Sequence, residues 1–144
     1  MFYSKLINQA IDLSFSAHLG QFDKAGRPYF THPLIVAQQM ESEYEICTAL
    51  LHDVIEDTDI TLEELEKIFP SEITEAVKVL THQEGIDYFD YILTIKDNPI
   101  ARKVKLADLR HNLDATRIAD NPKLLRDYER RKKKYERAIA LLEI

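Results

Sequence analysis

Apolar residues recur at helical spacing along nearly the whole chain. Leu6, Ile7, Ala10, Ile11 and Ala17 form a first stripe that closes near Gly20, and Gln21–Thr31, with Gly26 and Pro28, reads as a loop. Pro33 suits the first turn of a second helix running to about Ser42. Ile46, Cys47, Ala49, Leu50, Val54 and Ile55 belong to a third helix, apolar nearly all round and therefore central. Thr61 and Glu64 form a capping box that opens a short helix. Ser71 is placed to cap the next, which ends at Leu80. Residues 87–96 and 99–117 read as two more helices, and 122–143 as the last. Nothing alternates with period two for long enough to be a strand. The pattern predicts an all-α bundle of about seven or eight helices, formed as a single domain over residues 1–144.

Composition agrees with that picture. Hydrophobic residues make up 45% and charged residues 31%, too apolar a mixture for disorder. Three glycines and five prolines are too few for a turn-dense β fold. The single cysteine, Cys47, lies in an apolar stretch and reads as a small core residue in a reducing compartment. No stretch approaches the ~20 apolar residues of a membrane span, and the N-terminus enters an amphipathic pattern at once, unlike a signal peptide. These features predict a cytoplasmic protein without a membrane partner. The net charge of -6 argues against nucleic acid as a partner. Its distribution is uneven. Residues 1–98 carry 6 basic against 18 acidic residues, and residues 99–144 carry 13 against 7. No Lys or Arg occurs between Arg27 and Lys67, so any carboxylate buried there needs a proton or a cation.

The chemistry concentrates where polar residues interrupt the central helix, at His52, Asp53, Glu56 and Asp57. On a continuous helix His52 and Glu56 share one face and Asp53 and Asp57 the adjacent one, about 100° away. Three acids and an imidazole without a neighbouring base suit a divalent cation, for which both donor types are competent ligands. The alternative is a helix end whose acids face water. A second interruption is Asp108. It falls on one stripe with Ala101, Val104 and His111, where an apolar residue is expected, and Asn112 lies one turn further on. Either a shared metal or an ion pair with Arg102, Lys105 or Arg110 accounts for it. His32, before Pro33, can cap the second helix or point into a cleft, and taken alone reads as the cap. His18 and His82 have no partner legible from the sequence. The run Arg130–Lys134 reads as a solvated helix face, with attraction of phosphorylated substrates as a lesser possibility.

Three motifs occur together in order: Tyr29-Phe30-Thr31-His32-Pro33, then His52-Asp53-Val54-Ile55-Glu56-Asp57-Thr58, then Val104-Lys105-Leu106-Ala107-Asp108 with His111-Asn112. Over about residues 3–118 the chain resembles the HD-domain metal-dependent phosphohydrolases, and more closely the hydrolase domain of the RelA/SpoT family and its single-domain small alarmone hydrolases. The resemblance implies an all-α HD-domain bundle in which His32, His52, Asp53 and Asp108 bind one divalent ion, usually Mn2+. It implies that Glu56 and Asp57 position or deprotonate the attacking water. The implied substrate is a nucleotide, guanosine tetra- or pentaphosphate, cleaved at its 3′-pyrophosphate. No synthetase segment is expected after the last helix. The chain departs from the family where the base is held: the family's adjacent Arg-Lys pair is here Asp23-Lys24, its Arg-Leu-His-Asn is Leu109-Arg110-His111-Asn112, and Asp114 replaces another basic residue.

Lys24 and Arg27, in the loop before the site, are placed to bind phosphates, and Asn112 to hydrogen-bond the ribose or the water. Three other readings stay open: an HD-type hydrolase of another nucleotide or phosphorylated small molecule, which Asp23 motivates; a non-catalytic alarmone-binding module, which would have no use for Glu56; and a purely structural helical domain, which would hold no metal.

Overall fold

The computed structural model describes residues 1–118 and 120–144, and among these it is helical throughout. The helices are α1 (Lys5–Ala17), α2 (Thr31–Gln38), α3 (Glu43–Leu51), α4 (Val54–Asp57), α5 (Leu62–Glu66), α6 (Ser71–Leu80), α7 (Tyr88–Lys96), α8 (Pro99–Asn112) and α9 (Pro122–Glu143), with a 3₁₀ turn at Ala115–Arg117. Among the described residues the only β pairing is one isolated bridge, Phe22 with Pro28. It closes the α1–α2 loop, where Gly26 takes a positive φ of 88°. No described helix is long and apolar enough to cross a membrane.

Local chemistry sets most boundaries. Ser4, Asp87, Asn98 and Asn121 cap α1, α7, α8 and α9 with side-chain oxygens, and Pro99 and Pro122 stand in the first turns they open. Ser42 with Glu45, and Thr61 with Glu64, form complete capping boxes. The extended Ser42 explains why α2 ends at Gln38 and does not run to Ser42. Ser71 is not the cap of α6: it is the first helical residue, its hydroxyl goes to Glu72, and Pro70 takes the cap position.

The predicted third helix is two helices. Residues Ile46–Leu51 are all buried, and α3 runs through the middle of the molecule between α1, α2, α6 and α8. After Leu51 the chain tightens: the His52 amide turns toward the Ala49 carbonyl, and the His52 ring nitrogen Nδ1 bonds the same oxygen at 2.5 Å. Asp53 follows at φ -104°, ψ 0° and caps the one-turn α4. Counting α3 and α4 as one broken helix gives eight among the described residues. The helix predicted over 99–117 likewise stops at Asn112, because Asp114 leaves the helix and caps the 3₁₀ turn through Thr116. At the other end, α9 lies against α7 and α8, with Lys134 Nζ over the Tyr88 ring and the Arg137 guanidinium over Phe89, each 4.1 Å from the ring centre. Lys134 of the basic run is exposed, as a solvated face requires, while its ammonium covers Tyr88.

Candidate metal centre

The break between α3 and α4 faces the first turn of α2 and the C-terminal half of α8. There the side chains of His32, His52, Asp53 and Asp108 meet. His32 Nε2 is 2.8 Å from Asp108 Oδ1 and 3.9 Å from Asp53 Oδ2, while His52 Nε2 is 3.1 Å from Asp53 Oδ2 and 3.5 Å from Asp108 Oδ1. The donor atoms of His32, His52 and Asp53 all lie within 4.8 Å of one another. Ligands about 2.1 Å from one ion, at tetrahedral or octahedral angles, stand roughly 3.0–3.4 Å apart, so the spacing suits a single small cation. His32 is buried inside α2 and does not act as its cap.

The hydrogen-bond inventory gives an independent test. His52 Nδ1 faces the Ala49 carbonyl oxygen, an acceptor, so Nδ1 carries the proton. Nε2 then presents a lone pair, buried and without a hydrogen-bond partner, toward two carboxylates. Lone pair against carboxylate is repulsive unless a cation lies between them. The residues therefore fit a divalent metal. Without a cation a proton takes that place: burial opposes charge on His52, yet Asp53 and Asp108 outweigh it and raise its pKa well above that of an ordinary imidazole, so a cation at Nε2 would displace a proton. Burial likewise opposes the Asp53 carboxylate, but the neighbouring His52 above all brings its pKa down to about 2.

Each of these side chains is gripped from behind. The Tyr29 hydroxyl donates to Asp53 Oδ2 at 2.6 Å. Lys105 Nζ donates to Asp108 Oδ2 at 2.9 Å, leaving Oδ1 for the histidines. Of the two explanations left open by the sequence, the ion pair with Lys105 is present at Oδ2, and Oδ1 faces the two histidines. Asn112 Nδ2 also donates to Asp108 Oδ1, at 3.2 Å. Behind His32, Nδ1 is 2.7 Å from His111 Nδ1, the two rings stacked at 12°. Burial first, then Arg117 and His32, push the His111 pKa down to about 4, so it is neutral and can accept the His32 proton.

Glu56 and Asp57 follow on α4 beside the buried cluster, open to solvent on one side and partly desolvated on the other. Because the helix is broken, His52 and Glu56 do not share one helical face; Asp53 and Asp57 do keep their register, joined by the Asp57 amide to Asp53 carbonyl bond of 3.0 Å. The Glu56 carboxylate accepts from the His82 amide. Burial raises the pKa of Glu56 against that bond, with help from Asp53 and Asp57, and burial followed by Asp53 raises that of Asp57.

Lys24, Arg27 and Asn112 line one cavity of about 260 Å³ with Asp23, Tyr29, Asp114, Arg117, Arg131 and Tyr135. Tyr29 joins this cavity to the metal cluster through Asp53. The Asp23 carboxylate organises one wall: Oδ1 accepts from the Ala25 and Arg27 amides at 2.9 Å, and Oδ2 lies 3.6 Å from Arg117 and 3.7 Å from Arg27. The sequence reading assigned no role to Tyr29, Arg117, Arg131 or Tyr135. Tyr29 stands inside the first of the three motifs, whereas Arg117 falls in the predicted tail of a helix and Arg131 on the predicted solvated face.

Comparison with known proteins gives concordant results. The model of the HD domain family matches residues 10–140. The bifunctional (p)ppGpp synthase/hydrolase SpoT of Escherichia coli K12 is 33% identical over 124 residues, which cover 76% of this chain and 18% of SpoT. The GTP pyrophosphokinase rsh of Brucella melitensis is 34% identical over 136 residues, 84% of this chain and 18% of that protein. The chain thus spans under a fifth of the length of these curated relatives. A solved structure described as a metazoan ortholog of SpoT that hydrolyzes ppGpp superposes with a TM-score of 0.75 at 22% identity, over 99% of this chain and 85% of that one.

Proposed function

The chain belongs to the HD-domain family, and on that premise we propose that it is a metal-dependent phosphohydrolase that removes the 3′-pyrophosphate of guanosine tetra- or pentaphosphate in the cytoplasm, residues 1–144 working as one unit. The observation that carries the reading is the meeting of His32, His52, Asp53 and Asp108 beside a cavity rich in cationic side chains. Relatives at 33% identity named for (p)ppGpp hydrolysis support the substrate class.

In this proposal the four side chains hold one divalent ion, taken as Mn2+ from the family resemblance and compatible with the two carboxylates of the set. The ion supplies Lewis acidity, making water more acidic and drawing charge from a phosphoryl oxygen. Glu56 takes the proton of the attacking water, and its raised pKa makes its carboxylate a better base than that of an ordinary glutamate. The water oxygen bonds to the phosphorus attached at the 3′-oxygen, the bond from that phosphorus to the 3′-oxygen breaks, and pyrophosphate leaves. Asp57 orients the water or returns a proton to the 3′-oxygen. Lys24 and Arg27 neutralise phosphate oxygens, and Asn112, fixed between Asp108 and Arg117, faces the ribose.

Asp23 favours a second reading of the substrate, another pyrophosphorylated or phosphorylated nucleotide, because an acid already paired with Arg27 and Arg117 forms part of the wall on which a base would rest. A manganese-supplemented panel of guanosine tetraphosphate, dinucleotides and monophosphates separates the two. Pyrophosphate release from guanosine tetraphosphate well above all others is the expected result, and a different preferred substrate selects the second reading. Nucleotide bound without product after long incubation leaves only an alarmone-binding module.

A further inference from the structure

We infer that His18 is a positioning residue that holds the end of α4, and with it Asp57, through Gln21. His18 follows α1 as its C-cap and is 2% exposed. Its Nδ1 is 2.9 Å from Gln21 Oε1, and Gln21 Nε2 donates to the Asp57 carbonyl oxygen at 2.8 Å, 36 residues further along. Only one assignment satisfies both bonds. The amide nitrogen must donate to the carbonyl, so Oε1 accepts and His18 Nδ1 carries the hydrogen. His18 Nε2 is buried with no partner. A leucine would fill this space without leaving a polar atom dry, so the bond at Nδ1 is the feature that requires histidine here.

The tether has a mechanical purpose. Helix α4 has four residues, too few to persist alone, and the Asp57 carbonyl is one of its unsatisfied C-terminal acceptors. The α4 turn is closed by the Asp57 and Thr58 amides on the Asp53 and Val54 carbonyls, at 3.0 and 3.1 Å. The His18 ring also packs 5.0 Å from that of Tyr29, whose hydroxyl holds Asp53. One buried histidine thus supports both arms by which the α1–α2 loop grips the segment from Asp53 to Asp57. Its effect on turnover rests on the proposed catalytic role of Asp57; its effect on α4 does not.

The test uses the full chain and two readouts. Amide hydrogen exchange of residues 54–58 should accelerate in His18→Ala and in Gln21→Glu, which keeps its shape but cannot donate to Asp57, and remain near wild type in His18→Asn, whose amide nitrogen replaces Nδ1. With manganese and guanosine tetraphosphate, kcat should fall about 10–100-fold in the first two with KM unchanged, and metal affinity should be unchanged in Gln21→Glu, which leaves the His18 ring against Tyr29. The double variant should be no worse than His18→Ala. Unchanged exchange at 54–58, or losses that simply add, would overturn the inference. A wild-type chain that hydrolyses nothing would remove the proposed function, and the exchange arm would still decide whether the tether exists. Should His18→Ala fail to fold, Gln21→Glu against His18→Asn makes the same comparison.

Discussion

His52 Nε2 stands 3.1 Å from Asp53 Oδ2 although the two residues are adjacent in sequence and the histidine's other nitrogen is committed to a carbonyl. Adjacent residues on a regular helix point about 100° apart; here the break after Leu51 brings both onto one focus. His52→Ala and Asp53→Asn each remove a donor from this focus. Both variants should lose stoichiometric metal and turnover together, measured by elemental analysis of the purified protein and by product release. A His52→Ala chain that keeps one equivalent of metal would show that the focus is not the binding site.

Glu56 separates metal binding from chemistry, since it lies outside the cluster. Glu56→Gln should keep its metal and lose about 10²–10⁴-fold in kcat. The pH profile gives the sign. The working form is the carboxylate, and burial with Asp53 and Asp57 raises its pKa, so activity should fall on acidification at a pH above that of an ordinary glutamate. In Glu56→Gln that acid limb should disappear from the residual rate. Turnover equal to wild type would assign the base elsewhere.

Much of this was legible in the sequence because it is local. Periodicity locates α1, α7 and α9, the Thr61–Glu64 capping box locates α5, and polar residues on apolar stripes mark His52, Asp53 and Asp108. The break at His52 was not legible, because the apolar pattern runs through it from Ile46 to Ile55; the interruption arises from the His52 ring taking the Ala49 carbonyl while its far side faces residues of α2 and α8. Arg117 was hidden for a related reason. Its partner Asp23 is brought near only by the assembled bundle, and no short-range pattern signals a pair so remote in sequence. His32 shows the opposite case, where its position before a proline suggested a cap and tertiary contacts gave it a different task.

Tyr29 tests the support of the cluster from the cavity side. Tyr29→Phe keeps the ring against His18 and His32 and removes the bond to Asp53. Metal affinity should fall about 10–100-fold in a chelator competition, while the metal-free protein should lose only about 1 kcal/mol. Equal affinity in the two chains would mean that Asp53 is oriented without its help.

Lys105 tests it from α8. Removing one partner of a buried ion pair strands the other, at a cost of about 3–5 kcal/mol. Lys105 and Asp108 are both largely shielded, so Lys105→Met should lower metal-free stability by that order in denaturant titration. A bound cation neutralises the same carboxylate and stabilises only the folded state. The deficit of Lys105→Met relative to wild type should therefore shrink when saturating manganese is added. A deficit that manganese leaves untouched would separate Lys105 from the metal site.

Glu45 offers a pH test remote from the site. Its carboxylate accepts from the Glu41 and Ser42 amides and from Lys103 Nζ, all at 3.1 Å. Burial opposes the charge, but the Glu41 amide, then Lys103 and the Ser42 amide, outweigh it and lower the folded pKa below the ordinary value. A lowered folded pKa contributes stability that is present above the unfolded pKa and is lost as pH falls through the folded one. Glutamine can still close the capping box but carries no charge for Lys103. Glu45→Gln should thus be about 0.5–1 kcal/mol less stable than wild type at neutral pH, the modest size following from the solvent exposure of Lys103. The difference should close as acid protonates the wild-type carboxylate, with denaturant midpoints converging below the glutamate range. A gap of constant size down to that pH would mean that packing, not charge, sets the contribution of Glu45.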